Sequence, residues 1–149
     1  MRIALFEPEI AGNVGAVLRL AACFAVPVDI VEPCGFVWND ARLRRSGMDY
    51  VESVVVTRHR SWAAFAQALT GRLILLTTKG AARLPDFAFQ PTDTLLFGRE
   101  SAGVPDSVAD VADARLRIPL IAGVRSLNLA VSCGIAVAEA LRQTGGFPE

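Results

Sequence analysis

Polar side chains follow the first apolar run of the sequence, at a position where they could contact a ligand. Asn13 and Arg19 come after the run at Arg2–Phe6, and α/β sheets bind ligands where a strand ends and a helix begins. A dinucleotide-binding fingerprint requires glycine at the positions of Val14 and Val17, so NAD binding is disfavoured. Arg19 stands in an apolar helical stretch, where an arginine can form a structural ion pair or hold a substrate, and both roles remain open.

A second loop combines glycines with one carboxylate. Gly98 and Gly103 flank Glu100, and glycine allows a close approach of backbone to ligand as well as a positive φ. The loop matches neither a P-loop nor a GxSxG nucleophile elbow. Ser101 has no base nearby in the sequence, because His59 is the only histidine of the chain. Serine hydrolase chemistry is therefore disfavoured.

A third loop leads into a long apolar helix near the end of the sequence. Ser126 is a natural N-cap for that helix, and this structural role accounts for the residue by itself. Asn128 falls in the first turn and needs partners for both ends of its amide. We therefore expect Asn128 to bind a ligand or to tie loops together.

Short apolar runs and helical stretches alternate along the chain and must position these three loops. Strands are predicted at residues 2–6, 28–32, 54–57, 73–77, 94–97 and 115–118. Helices are predicted at residues 14–24, 40–45, 62–69 (capped by Ser61) and 126–143, with a short turn after Pro105. Near-continuously apolar strands are typical of a parallel sheet covered on both faces. The sequence predicts an α/β fold with a mainly parallel sheet flanked by helices, in a single domain over residues 1–149.

Composition excludes several classes of protein. Apolar residues make up 52% of the chain and charged residues 20%, which excludes a disordered protein. The cysteines Cys23, Cys34 and Cys133 form no CxxC pair, so neither a disulfide scaffold nor a metal site is expected. No run approaches the ~20 apolar residues of a membrane span, and the N-terminus lacks the features of a signal peptide. We expect a cytoplasmic protein without membrane contact.

Charge and helix composition bear on the partners of the chain. Fifteen Lys and Arg residues balance fifteen Asp and Glu residues, so nucleic-acid binding must come from local clusters. The helix that begins at Ser126 carries no charge as far as Ala138 and is rich in small residues. A helix that is apolar nearly all round is buried on every side. Because one small domain cannot easily wrap a terminal helix, a homodimer is favoured over a wholly internal helix.

Taken in order, the three loops resemble the motifs of the SPOUT superfamily of knotted RNA methyltransferases. The motifs are Asn-x-Gly-x-x-x-Arg at 13–19, Gly-x-Glu-x-x-Gly-hydrophobic-Pro at 98–105, and Ile-Pro…Ser-Leu-Asn-Leu at 118–129. The short length and the stretches at 32–50, 57–59 and 76–80 are similar to the tRNA methyltransferases that modify the 2′-oxygen of wobble cytidine or uridine 34. The resemblance implies S-adenosylmethionine as cofactor, the anticodon region of tRNA as partner, and a C-terminal deep trefoil knot.

The resemblance also implies roles for individual residues. Because a guanidinium stays protonated, Arg19 is expected to hold RNA and to stabilise charge on oxygen rather than to act as a base. Glu100 is expected to orient Arg19 or to bind the substrate, and Asn13 and Asn128 are expected to fix the loops. Cofactor contacts are expected at Leu76, Thr77, Gly98, Ile118, Leu120, Ser126 and Leu127. RNA contacts are expected at Arg42, Arg44, Arg45, Arg58 and His59.

Two other classes of function remain as alternatives. A non-catalytic RNA-binding or assembly protein on the same fold is favoured if S-adenosylmethionine does not bind, but the presence of Arg19 and Glu100 argues against it. A nucleotide-binding α/β enzyme of another kind is disfavoured by the missing glycine fingerprints.

Overall fold

The computed structural model describes residues 1–47 and 53–149, without the side chains of residues 44–47. The strands are β1 (Arg2–Phe6), β2 (Val28–Val31), β3 (Val56–His59), β4 (Leu73–Leu76), β5 (Ala82–Arg83), β6 (Thr94–Phe97) and β7 (Ala114–Arg117). The helices are α1 (Ala11–Phe24), α2 (Asp40–Gly47), α3 (Trp62–Ala68), α4 (Asp106–Ala109) and α5 (Leu129–Thr144), and a 3-10 turn covers Leu84–Asp86.

The strands form one sheet in the order β3-β2-β1-β6-β4-β7-β5. Every neighbouring pair runs parallel, which confirms the predicted α/β architecture. Because β6 lies between β1 and β4, and β7 lies beside β4, the carboxyl ends of these four strands stand next to one another. The loops that leave them therefore meet at one edge of the sheet, as in other open α/β sheets.

The strands are apolar throughout because helices cover both faces of the sheet. On one face, Ile3 and Leu5 of β1 pack in a cluster with Val17 of α1 and Val137 of α5. On the other face, alternate strand residues pack in a second cluster around Phe65 of α3. Strands β1, β2, β4 and β6 are almost wholly buried. Side chains of successive strand residues point to opposite faces, so burial on both sides requires the near-continuous apolar runs.

Two strand predictions differ from the structure in more than their last residue, and one strand was not predicted. Strand β3 was predicted at 54–57 but covers Val56–His59, since its last residue is buried by pairing with Asp29 rather than by apolar character. Strand β7 begins one residue earlier than predicted, at Ala114. The two-residue strand β5 was not predicted, because both of its residues are exposed and show no hydrophobic pattern.

The starts of two helices differ in how well the sequence indicated them. Ser61 caps α3 as predicted, and its hydroxyl accepts a hydrogen bond from the Ala64 amide over 3.2 Å. The prediction that Ser126 caps the last helix is wrong, because α5 begins at Leu129 and Asn128 is its N-cap. The Asn128 side-chain oxygen accepts hydrogen bonds from two backbone amides of the first turn, which fixes the helix start beside the sheet edge.

Candidate active site

A cavity of about 690 Å³ lies at the carboxyl edge of the sheet. It is lined by the loops that follow β4, β6 and β7 and by the start of α1. Pockets for small molecules usually have volumes of about 300–1,000 Å³. All residues predicted for the cofactor site line this cavity: Leu76, Thr77, Gly98, Ile118, Leu120, Ser126 and Leu127. Three of the residues predicted for catalysis also line it: Asn13, Glu100 and Asn128.

Two amide side chains and one carboxylate join the three motif loops. The Asn128 side-chain nitrogen donates to the Asn13 side-chain oxygen over 2.9 Å. The Asn13 nitrogen in turn donates to Glu100 Oε1 over 3.3 Å. Asn128 also caps α5 with its oxygen, so both ends of its amide have partners. Residues far apart in sequence thus hold the wall of the cavity in one arrangement.

Glu100 supplies the N-terminal cap that α1 lacks. Helix α1 has Ile10 at its N-cap position, which offers no side-chain acceptor. The Glu100 carboxylate accepts hydrogen bonds from the backbone amides of Glu9 (2.9 Å) and Ile10 (3.2 Å). A negative charge at a helix N-terminus satisfies orphan amides and is favoured by the helix dipole. Both oxygens of Glu100 thus accept hydrogen bonds from loop donors and position the loops, while its predicted roles in orienting Arg19 or binding the substrate stay predictions.

Glu9, in the first loop, accepts hydrogen bonds from the second loop. The Ser101 hydroxyl donates to Glu9 Oε1 over 2.7 Å, and the Ser101 amide donates to Oε2 over 2.8 Å. These two hydrogen bonds from Ser101 lower the pKa of the Glu9 carboxyl below its usual value of 4.5. Glu9 and Glu100 therefore each accept hydrogen bonds from the loop that carries the other.

Glycine is required at the base of the second loop. A Cβ on Gly98 would stand 2.5 Å from the carbonyl carbon of Gly103, closer than side-chain carbons approach. Arg99 and Gly103 exchange backbone hydrogen bonds of 3.0 and 2.9 Å, which close the loop into a tight turn. Gly103 itself has a φ of 63°, in the left-handed region that favours glycine. The spacing of the two glycines thus follows from the shape of the cavity wall.

Arg19 stands apart from the other predicted catalytic residues. Its side chain is on the exposed face of α1, which it shares with Gly12, Ala16 and Cys23. Among the described residues, those that line the cavity of the same chain do not include Arg19. Arg19 comes six residues after Asn13, which corresponds to a rise of about 9 Å along the helix.

The predicted RNA contacts at Arg58 and His59 have structural partners. Arg58 donates two hydrogen bonds to Glu32, and its guanidinium lies 4.7 Å from the centroid of the Trp38 ring. His59 is buried and lies 2.8 Å from the Asp29 carboxylate, against the edge of Phe65. These contacts hold His59 inside the chain, and its predicted contact with RNA stays a prediction. Arg58 remains partly exposed.

The other predicted RNA contacts belong to α2. Asn39 begins this helix, and its side-chain oxygen accepts a hydrogen bond from the Arg42 amide over 3.1 Å. The Arg42 side chain is exposed. The side chains of Arg44 and Arg45 lie outside the described residues, so these two predictions stay predictions.

Sequence reasoning missed several cations that line the cavity. Lys79 follows β4, Arg125 follows β7, and Arg99 and Arg115 complete the set. The signal that could have found Lys79 and Arg125 is their position in loops at the carboxyl ends of predicted strands.

In residues 1–47 and 53–149, no three His, Cys, Asp or Glu side chains are grouped so as to hold a metal ion. No helix of the described chain is long and apolar enough to cross a membrane.

The family follows from comparison with known proteins. Residues 1–138 match the model of the SpoU rRNA Methylase family. The chain belongs to this family. A SpoU relative from Ancylobacter novellus, named tRNA (cytidine(34)-2′-O)-methyltransferase, is 51% identical over 99% of this chain and 95% of its own length.

Solved structures agree with the SpoU assignment. One structure concerned with 2-OH methylation of C/U34 on tRNA is 41% identical, has a TM-score of 0.91, and is matched over 95% of this chain and 94% of that chain. The AdoMet-bound rRNA methyltransferase from Sinorhizobium meliloti is 26% identical with a TM-score of 0.84, over 95% of this chain and 55% of that chain. The fold of this SpoU chain is therefore that of RNA methyltransferases of known structure.

Proposed function

We propose that the chain transfers a methyl group from S-adenosylmethionine to the ribose 2′-oxygen of the wobble nucleotide, cytidine or uridine 34, of tRNA. The observation that carries the proposal is the convergence of the three motif loops on one cavity. The names of close relatives support the same substrate. A cavity with the volume of a small-molecule site favours an enzyme with a cofactor over a purely RNA-binding protein.

The cavity fits S-adenosylmethionine in volume and in chemistry. Leu76, Ile118 and Leu120 offer apolar surface for an adenine ring, while Thr77 and Ser126 offer hydroxyl groups for its polar edge and ribose. When bound, this cofactor supplies a methyl group carried on a sulfonium cation. It contains no phosphate, so the site has no need of the glycine-rich phosphate cradle that the sequence lacks.

The residues around the cavity must mainly orient the ribose hydroxyl. Holding two reactants in line lowers the barrier without further chemistry, and the joined Asn13, Glu100 and Asn128 side chains make that wall rigid. As the ribose oxygen bonds to the methyl carbon, the bond from that carbon to sulfur breaks and the hydroxyl loses its proton. We assign that proton to a phosphate oxygen of the substrate, and we assign Arg19 to stabilising the charge that develops on the ribose oxygen.

A homodimer would bring Arg19 to a cavity. Val131 and Ile135 of α5 are 49% and 39% exposed and lie one turn apart on the same face. Helix α1 packs beside α5 and presents Gly12, Ala16 and Arg19 to solvent. Small and apolar residues on adjacent helices suit a close isologous contact. We propose that two copies pack through α1 and α5, and that Arg19 of each copy serves the cavity of the other.

Disrupting the α5 face is expected to separate the subunits. We expect wild-type protein to sediment as a dimer at micromolar concentration and Ile135→Glu to sediment as a monomer, because a charge would be buried without a partner. Ala66→Glu is the matched control, since Ala66 is exposed on α3 at the opposite face of the sheet. A monomeric wild-type protein, or a dimer that Ile135→Glu leaves intact, would contradict this interface.

We further propose that the chain is one domain over residues 1–149 and that its C-terminal part is knotted. Strand β7 lies between β4 and β5, so the connection at 77–81 must cross the carboxyl end of β7. The chain that leaves β7 must cross this connection before it reaches α5. Helix α5 packs against α1. Such a crossing of connections is rare outside knotted folds.

The proposed reaction is tested with purified protein, labelled S-adenosylmethionine and tRNA that lacks the modification. The label is expected in a 2′-O-methylated nucleoside after the tRNA is digested to nucleosides. Binding of tRNA without S-adenosylmethionine binding or methyl transfer would instead support the non-catalytic alternative.

A further inference from the structure

Two of the four cations that line the cavity are neutralised within the chain. Arg99 lies 3.4 Å from the Glu7 carboxylate, and Arg115 lies 2.8 Å from Asp110. The net charge of the whole chain is zero. Any attraction for a polyanion must therefore come from cations that lack an acidic neighbour.

Lys79 and Arg125 are cations of this kind at the cavity. Both line it, from the loops after β4 and β7, and both side chains are exposed. Within the part of the chain whose side chains are described, residues 1–43 and 53–149, neither forms a salt bridge with a carboxylate. These two cations without a salt bridge thus lie on two different loops at the edge of the cavity.

The turn that carries Lys79 is fastened to the sheet. The Lys79 amide donates to the Thr77 hydroxyl over 3.3 Å, and the Gly80 amide donates to the Thr77 carbonyl over 3.2 Å. Gly80 packs so closely on β7 that a Cβ would lie 2.3 Å from the Leu116 carbonyl carbon. Arg117 holds the Gly80 carbonyl with a hydrogen bond of 2.7 Å. The backbone therefore holds Lys79 at a fixed place on the rim while its ammonium group reaches into solvent.

We propose that Lys79 and Arg125 bind the phosphate groups that flank the target nucleotide of the RNA. The inference rests on the proposed function and names the part of the substrate that the rim recognises. A lysine ammonium is a flexible point charge, and an arginine guanidinium can hold two phosphate oxygens at once. Cations on these two loops would hold the strand while the ribose between the two phosphates enters the cavity.

Charge-neutral substitutions measure the contribution of each residue to RNA affinity. Lys79→Gln and Arg125→Gln are each expected to weaken tRNA binding by ~5–10-fold at moderate salt and to reduce the slope of log affinity against log salt by about 1. Affinity for S-adenosylmethionine and the melting temperature should stay near wild type. Arg142→Gln is the matched control, because it removes the same charge from an exposed side chain about 20 Å along α5 from Asn128.

Chemical protection gives a second readout that does not depend on a variant. Lys79 is the only lysine of the chain, so an amine-reactive reagent labels this side chain and the N-terminal amine alone. Bound tRNA is expected to slow labelling of Lys79, whereas S-adenosylmethionine alone should leave the labelling rate unchanged. The N-terminal amine serves as the internal reference.

The outcomes separate the phosphate contacts from the proposed reaction. Equal tRNA affinity and salt slope in wild type, Lys79→Gln and Arg125→Gln would overturn the inference, even if methyl transfer is observed. Weaker S-adenosylmethionine binding with unchanged tRNA affinity would assign these cations to the cofactor and would also overturn it. If wild-type protein binds tRNA through these residues but transfers no methyl group, the reaction fails while the phosphate contacts stand.

Discussion

Replacing Arg19 by alanine is expected to lower methyl transfer per folded dimer by ~100-fold or more, the usual scale for losing one charge-stabilising donor. S-adenosylmethionine affinity and the melting temperature should remain near wild type, because the Arg19 side chain is exposed and does not line the cavity of its own chain. Lysine is expected to restore little activity, since it lacks the planar fork of a guanidinium. Single-turnover rates, normalised to folded protein, measure the effect.

Mixing subunits tests whether Arg19 acts across the dimer. Leu120→Trp is designed to fill the cavity, which Leu120 lines, and should inactivate its own site. Neither Arg19→Ala nor Leu120→Trp homodimers should be active, but a refolded equal mixture should recover about a quarter of wild-type activity, because half the dimers then hold one complete site. No recovery would contradict the assignment of Arg19 to the partner's cavity, and full activity of Arg19→Ala would remove it from catalysis altogether.

Replacing Glu100 by alanine is expected to destabilise the fold and the site together. The change leaves the amides of Glu9 and Ile10 and the side-chain nitrogen of Asn13 without their acceptor. Loss of a charged cap and of these hydrogen bonds should cost about 2 kcal/mol of the free energy of unfolding, or ~4–8 °C in melting temperature for a chain of this size.

Two further variants define the cause of the Glu100 effect. Glu100→Gln keeps an acceptor oxygen and should restore roughly half of the lost stability. Asp86→Ala removes a carboxylate from an exposed ion pair and should change the melting temperature little. A Glu100→Ala protein that melts with the wild type would show that the Glu100 carboxylate does not cap α1 in solution.

The α/β architecture could be predicted from the sequence because the sheet is buried on both faces. Near-continuous apolar runs predict parallel strands at residues 2–6, 73–77 and 94–97, and the structure has strands at Arg2–Phe6, Leu73–Leu76 and Thr94–Phe97. No hydrophobic pattern indicates the burial of His59, because this burial depends on the contact of His59 with the Asp29 carboxylate. Arg2, on another strand, donates a hydrogen bond to the same carboxylate. A strand end that is stabilised by polar pairing cannot be seen in hydrophobic periodicity.

The sequence predicts which loops form the candidate site, but it does not predict the hydrogen bonds between them. Position after a strand, together with motif spacing, indicated Asn13, Glu100 and Asn128, and these three residues do meet. The cap that Glu100 provides for α1 spans about ninety residues of sequence, so no local pattern could reveal it. Helix propensity favours Ser126 as the N-cap, whereas Asn128 has that position and its side-chain nitrogen also donates to Asn13.

In the proposed reaction, the ribose 2′-oxygen of nucleotide 34 in tRNA is methylated in the cavity formed by the three loops. The most direct measurement uses two tRNAs that differ in one atom, with either a ribose or a 2′-deoxyribose at position 34, incubated with wild-type protein and labelled S-adenosylmethionine. Mass spectrometry of the digested nucleosides is expected to find a 2′-O-methyl group on nucleotide 34 of the first tRNA and no methylation of the second. Equal labelling of both tRNAs, or a methyl group on any other atom, would contradict the account.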